Sequence, residues 1–95
     1  MVDFKLFGSD DDNLGVFTED GWISLHLIDL MKKQAKTVLE QKVELIQERK
    51  EVGHAIAICS NNRFICVETV KNNRPHLISS RYIVFEIQGK DLIWV

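Results

Sequence analysis

The chain has 95 residues, of which 45% are hydrophobic and 27% charged, with a single proline and a formal net charge of −2. This is too apolar for a disordered tail and fits one small domain, residues 1–95, with a modest core. No run reaches the roughly 18 uncharged apolar residues of a membrane helix, the N-terminus does not read as a signal peptide, and the near-neutral charge gives no general pull toward nucleic acid or anionic membrane. Two cysteines are too few for a disulfide framework, which favours a reducing, cytoplasmic setting.

Charge is unevenly spread. Residues 1–29 hold seven acids against one base, Lys5, so the remainder of the chain is net positive. Val2, Phe4 and Leu6 alternate with Asp3 and Lys5, as in a half-buried strand. Gly8 to Asn13 reads as a loop by composition. Thr18-Glu19-Asp20-Gly21 reads as a tight turn joining a short strand at Val16-Phe17 to Trp22-Ile23. Alternation continues through Ile23, Leu25 and Leu27, leaving Ser24 and Asp29 both open as the start of the next element.

From Ile28 to Lys50 the apolar residues fit a helical period. Leu27, Ile28, Met31, Ala35, Val38, Leu39, Val43, Leu45 and Ile46 share one stripe at about 100° per residue, predicting a long amphipathic helix over about 25–51. Arg49 and Lys50 suit its negative end, and Gly53 is a plausible stop. Lys42 is out of place, projecting near the middle of the apolar stripe. It reads as a snorkelling side chain or as the partner of a carboxylate or phosphate.

Beyond Gly53 the pattern is β. Strands are expected at about 54–60, 63–71, 78–88 and 91–95, with turns at Asn61-Asn62, at 71–75 and at Gly89-Lys90. The fold expectation is therefore α+β, the long helix packed on a four-stranded antiparallel meander after a short N-terminal β segment. Two of the strands echo each other, Arg63-Phe64-Ile65-Cys66-Val67-Glu68 and Arg81-Tyr82-Ile83-Val84-Phe85-Glu86. An antiparallel register that sets Arg63 opposite Glu86 also sets Glu68 opposite Arg81, and closes the hairpin through Asn73-Arg74-Pro75-His76. Such opposite-charge pairs are worth roughly 0.2–1 kcal/mol each.

That register assigns Ala55, Ala57, Cys59, Phe64, Cys66, Ile83, Phe85, Ile87, Leu92 and Trp94 to one face. Ile56, Ile58, Ile65, Val67, Tyr82, Val84, Ile93 and Val95 take the other. Both faces are apolar, and one helix covers only one of them. The second needs the N-terminal segment, closure of the sheet or another subunit. The small residues Ala55, Ala57 and Cys59 would admit a closely packed layer. With Phe64, Phe85, Trp94 and Lys42 they form the candidate interface.

Chemical motifs are sparse. His54, Cys59, Cys66 and His76 lack the close ligand pairs of a structural zinc site. Asp10, Asp12 and Gly15 match part of a calcium loop, but Gly21 stands where the bidentate glutamate belongs. No nucleophile elbow or phosphate-binding glycine loop is present, so no catalytic, cofactor or metal residues are assigned. The expectation is a small, non-catalytic intracellular binding or regulatory module, such as an inhibitor, immunity factor, adaptor or assembly subunit. It acts on another protein and self-associates through an apolar sheet face, with no cofactor, membrane or small-molecule ligand. The alternative is nucleic-acid binding by Lys32, Lys33 and Lys36 of the helix with the arginines near strand ends.

Overall fold

The computed structural model describes residues 2–59, 63–73 and 76–95. Two antiparallel meanders make up the fold. The first runs through β1 (Asp3–Phe7), β2 (Asn13–Phe17), β3 (Trp22–Asp29) and β4 (Gln34–Lys42). The second runs through β5 (Glu51–Ile58), β6 (Phe64–Asn73), β7 (His76–Gln88) and β8 (Asp91–Trp94). Among the described residues the only helical piece is a 3-10 turn, Gln47–Arg49, in the connection between the sheets.

The expected long helix is thus replaced by β3, a turn, β4 and the connection to β5, and the α+β class gives way to an all-β one. Leu39 and Val43 are buried, and a spacing of four fits one face of a strand as well as one face of a helix. Leu45 also packs against the core, from the connection to β5, but other members of the presumed stripe face away from it: Met31 is 95% exposed, Leu27 46% and Val38 38%. The helix reading also hid a turn. Lys33 takes a left-handed conformation at φ 52°, a position where glycine or asparagine is the usual signal. Lys42 loses its oddity. In β4 it stands opposite Trp22, its ammonium 5.2 Å from the indole centroid.

The local turn chemistry elsewhere acts as expected. Between β2 and β3, Gly21 sits at φ 95° and its N–H donates to the Thr18 carbonyl at 3.1 Å. The Thr18 hydroxyl accepts from the Trp22 N–H at 2.9 Å and bonds Asp20. Gly89, at φ 61°, turns β7 into β8. The four C-terminal strands form the expected meander order; of the turn expected at 71–75, Lys71, Asn72 and Asn73 instead continue β6, while residues 60–62 and Arg74-Pro75 lie outside the described residues.

Three β-bulges set the registers. Val38 is the extra residue in β4, His54 in β5 and Ser80 in β7. Near its turn the β6–β7 pair has the expected register, with Asn73 opposite His76. Past Ser80 it slips by one, placing Glu68 opposite Tyr82 and Arg81 opposite Thr69. A slip of one residue inverts the faces of everything beyond it. Ile65, Val67, Ile83 and Phe85 therefore share the inner face with Ile56, whereas Ala57 pairs with Cys66 on the outer one.

The core lies between the sheets. Phe17, Ile23, Leu25 and Leu39 of the first meet Ile56, Ile65, Val67, Ile83 and Phe85 of the second. Full burial of such side chains contributes about 1.5–3 kcal/mol each. Along one side the seam is closed. The Ile56 N–H donates to the Asp3 carboxylate at 2.9 Å, and the Gly53 N–H donates to the Glu19 carbonyl at 2.9 Å. Gly53 is required by proximity: a Cβ there would stand 2.2 Å from the Thr18 carbonyl oxygen and 2.9 Å from the Phe17 ring. The N-terminal half of the chain, folded as a sheet of its own, thus covers the inner face of the C-terminal sheet, while the other face, with Ala57 and Tyr82, is turned outward.

Candidate functional site

Opposite the closed seam the sandwich stays open. β4 is hydrogen-bonded on one side only, to β3, and β8 only to β7. Between these edges lies a cleft of about 290 Å³. Its floor is apolar and buried, made by Val43, Ile83, Phe85 and Leu92. Trp94 stands at the mouth, 70% exposed, opposite Phe85 across the β7–β8 pair. Gln41, Lys42 and Glu44 follow the rim along the end of β4.

Arg81 reaches the cleft from β7, and its charge is already balanced. Its Nε donates to Glu51 at 2.9 Å and its Nη2 donates to the second oxygen of the same carboxylate. Nη2 also donates to the Glu44 carbonyl at 2.8 Å, tying the end of β4 to β7. Glu51 is buried and accepts further bonds from Thr69 Oγ1 at 2.9 Å, Ser80 Oγ at 2.7 Å and the Ile46 N–H at 3.1 Å. Burial alone would raise its pKa. The hydrogen bonds from Arg81, Ser80, Ile46 and Thr69 together outweigh it and lower the carboxyl to about 2. The bulge at Ser80 makes this set possible, since it turns both Ser80 and Arg81 toward Glu51.

Arg81 was expected to face Glu68, and Glu68 is served otherwise. His54, the extra residue of β5, bonds it at 2.9 Å, and Ser79 Oγ donates to it at 3.2 Å. Hydrogen bonds from His54 and Tyr82 hold its carboxyl below the ordinary range. The expected Arg63–Glu86 pair is present at 3.4 Å, reached diagonally, since Glu86 stands opposite Phe64.

The seven candidate interface residues divide into two groups. Lys42, Phe85 and Trp94 converge on the cleft. Ala55, Ala57, Cys59 and Phe64 do not join them, because the slipped register turns the outer face of the second sheet away from the cleft. Ala57 and Cys59 instead border a shallow groove whose other wall is Leu6 and Phe7 of β1. Cys59 and Cys66 are both reduced thiols. Burial, followed by the charge of Glu68, raises the Cys66 pKa. Lys32, Lys33 and Lys36 lie on the β3–β4 turn and the start of β4, not on a helix.

Sequence reasoning missed Glu51, Val43 and Glu44 as members of the site. Glu51 ends the charged run Glu48-Arg49-Lys50-Glu51, so no local signal in the sequence marked it as buried. No helix among the described residues is long and apolar enough to cross a membrane. Comparison with protein-family models, curated proteins and solved structures finds no match.

Proposed function

We propose that the protein is a small, non-catalytic binding module whose cleft between β4 and β8 receives an apolar side chain from an extended segment of a partner protein. The segment's backbone pairs with the open edge of β4, adding a strand to the first sheet. The observation that carries this reading is a buried apolar floor opening between two unpaired strand edges, with a largely exposed tryptophan at its mouth. Tryptophan in such a position is a frequent energetic centre of protein interfaces. Because Glu51 balances Arg81, an incoming apolar group meets no uncompensated charge from that guanidinium.

The charged residues along β4, Lys36, Glu40 and Lys42, and its bulge at Val38 limit indiscriminate strand pairing, which leaves selection to the cleft. Nucleic-acid binding draws less support. Arg63 is paired with Glu86 and Arg81 with Glu51, so these two arginines add little free charge to the three lysines, and Arg74 lies outside the described residues.

Selection of extended peptides from a random display library tests the proposal. Peptides recovered on the wild-type chain should carry a large apolar residue and lose at least about tenfold in affinity on Trp94→Ala, a change of about 1.4 kcal/mol. Selected peptides that bind Trp94→Ala undiminished would contradict it.

A further inference from the structure

The far end of β4 carries a different surface. A meander reverses direction at each strand, so the β1–β2 and β3–β4 turns emerge at the same end of the first sheet. The Ile28 N–H donates to the Asp12 carbonyl at 2.7 Å, bringing the two turns side by side. With neighbouring strands about 4.8 Å apart, their centres lie roughly 10 Å from each other.

These turns are opposite in charge. The β1–β2 turn carries Asp10, Asp11 and Asp12, the first two exposed. The β3–β4 turn and the strand after it carry Lys32, Lys33 and Lys36, all exposed. Among the described residues no carboxylate lies within ion-pair distance of these lysines. At the tip of the same hairpin Leu30 is 79% exposed and Met31 95%. The tip is a built turn: the Lys32 N–H donates to the Asp29 side chain at 3.2 Å, and Lys33 holds a left-handed backbone. Packing within this chain gives no reason for two large apolar side chains there.

We infer that this end of the first sheet is a docking surface for the same end of a second copy of the chain. A two-fold axis lying between the two turns, across the line that joins them, sets the lysines of each copy against the aspartates of the other. Leu30 and Met31, carried on the lysine-bearing turn, are covered in the same contact. The patch is self-complementary, as an isologous interface must be. An anionic membrane or a nucleic acid would attract the lysines but meet the neighbouring aspartates in the same contact, at a like-charge cost. The surface lies at the opposite end of β4 from the cleft, so cleft occupancy does not enter its test.

Charge exchange on the full-length chain tests it, with sedimentation velocity at low and high salt as the readout. The wild type should dimerise at low salt, with association at least about tenfold weaker at high salt, where screening shortens to about 3 Å. Asp10→Lys with Asp11→Lys should be monomeric, and Lys32→Glu with Lys33→Glu likewise. An equimolar mixture of these two variants should restore the dimer. Leu30→Ser with Met31→Ser should weaken wild-type association by at least about tenfold while leaving thermal unfolding unchanged. A wild type that stays monomeric at low salt overturns the inference, and so does a mixture that fails to reassemble from folded variants. Monomeric wild type that sediments with phosphatidylserine-containing vesicles but not with pure phosphatidylcholine vesicles would assign the surface to a membrane instead.

Discussion

Replacing Glu51 with glutamine removes one charge and one acceptor from a buried site. The carboxylate is fully buried and accepts from Arg81, Thr69, Ser80 and the Ile46 N–H. Its pKa falls from 4.5 to about 2 in the fold, and a difference of that size corresponds to about 3 kcal/mol of stability at neutral pH. Because the folded value is the lower one, this contribution is complete above about pH 5 and disappears as pH falls toward 2. Removing one partner of a buried pair also strands the other, and such losses run about 3–5 kcal/mol. Glu51→Gln should therefore lose about 3 kcal/mol in urea unfolding at pH 7, lowering the melting temperature by roughly 12–24 °C. The gap between wild type and variant should narrow steadily from about pH 5 downward. A variant within about 0.5 kcal/mol of wild type at pH 7, or a gap independent of pH, would show that the Glu51 carboxylate does not stabilise the fold in this way.

Other substitutions probe the strands and their contacts. Lys33→Gly should leave stability unchanged or raise it by up to about 1 kcal/mol, because glycine relieves the left-handed backbone, whereas in a helix it would cost about 1 kcal/mol; urea unfolding reads the sign. Gly53→Ala should cost at least about 2 kcal/mol, since the new methyl meets the Thr18 carbonyl and the Phe17 ring, and an unchanged midpoint would remove the close approach of β5 to the β2–β3 turn. Maleimide at mildly alkaline pH should label exposed Cys59 before Cys66, whose thiol is held up by burial and by Glu68, and mass spectrometry of the digested chain gives the order.

Much of the C-terminal half was legible because its signals are local. Alternating β-branched and aromatic residues mark β6 and β7, and Gly89-Lys90 marks the turn that follows. The N-terminal half was less so. Asp20-Gly21 announces its turn, but in the β3–β4 turn Asp29 stands without a glycine, proline or asparagine beside it, and a lysine, Lys33, takes the left-handed position. Without that break, Leu39 and Val43 joined an apparent helical stripe. Lys42, anomalous on a helix, was the one residue whose period-two placement argued for a strand.

The site was half visible for a related reason. Lys42, Phe85 and Trp94 were picked out, yet grouped with Ala55, Ala57, Cys59 and Phe64. The bulge at Ser80 separates the two sets, and Ser80 carries no sequence mark of a bulge. Glu51 and Arg81 are thirty positions apart, and only the slipped register brings them together. The cleft itself depends on how two sheets meet, which no local pattern encodes.

Amide NMR of the full chain, titrated with a peptide selected on the wild type, tests the cleft most directly. Shifts should appear in the backbone amides of Gln41–Glu44 and in the indole of Trp94, with Ala55, Ala57 and Phe64 unmoved. Shifts centred on that outer face, with the Trp94 indole unchanged, would contradict it.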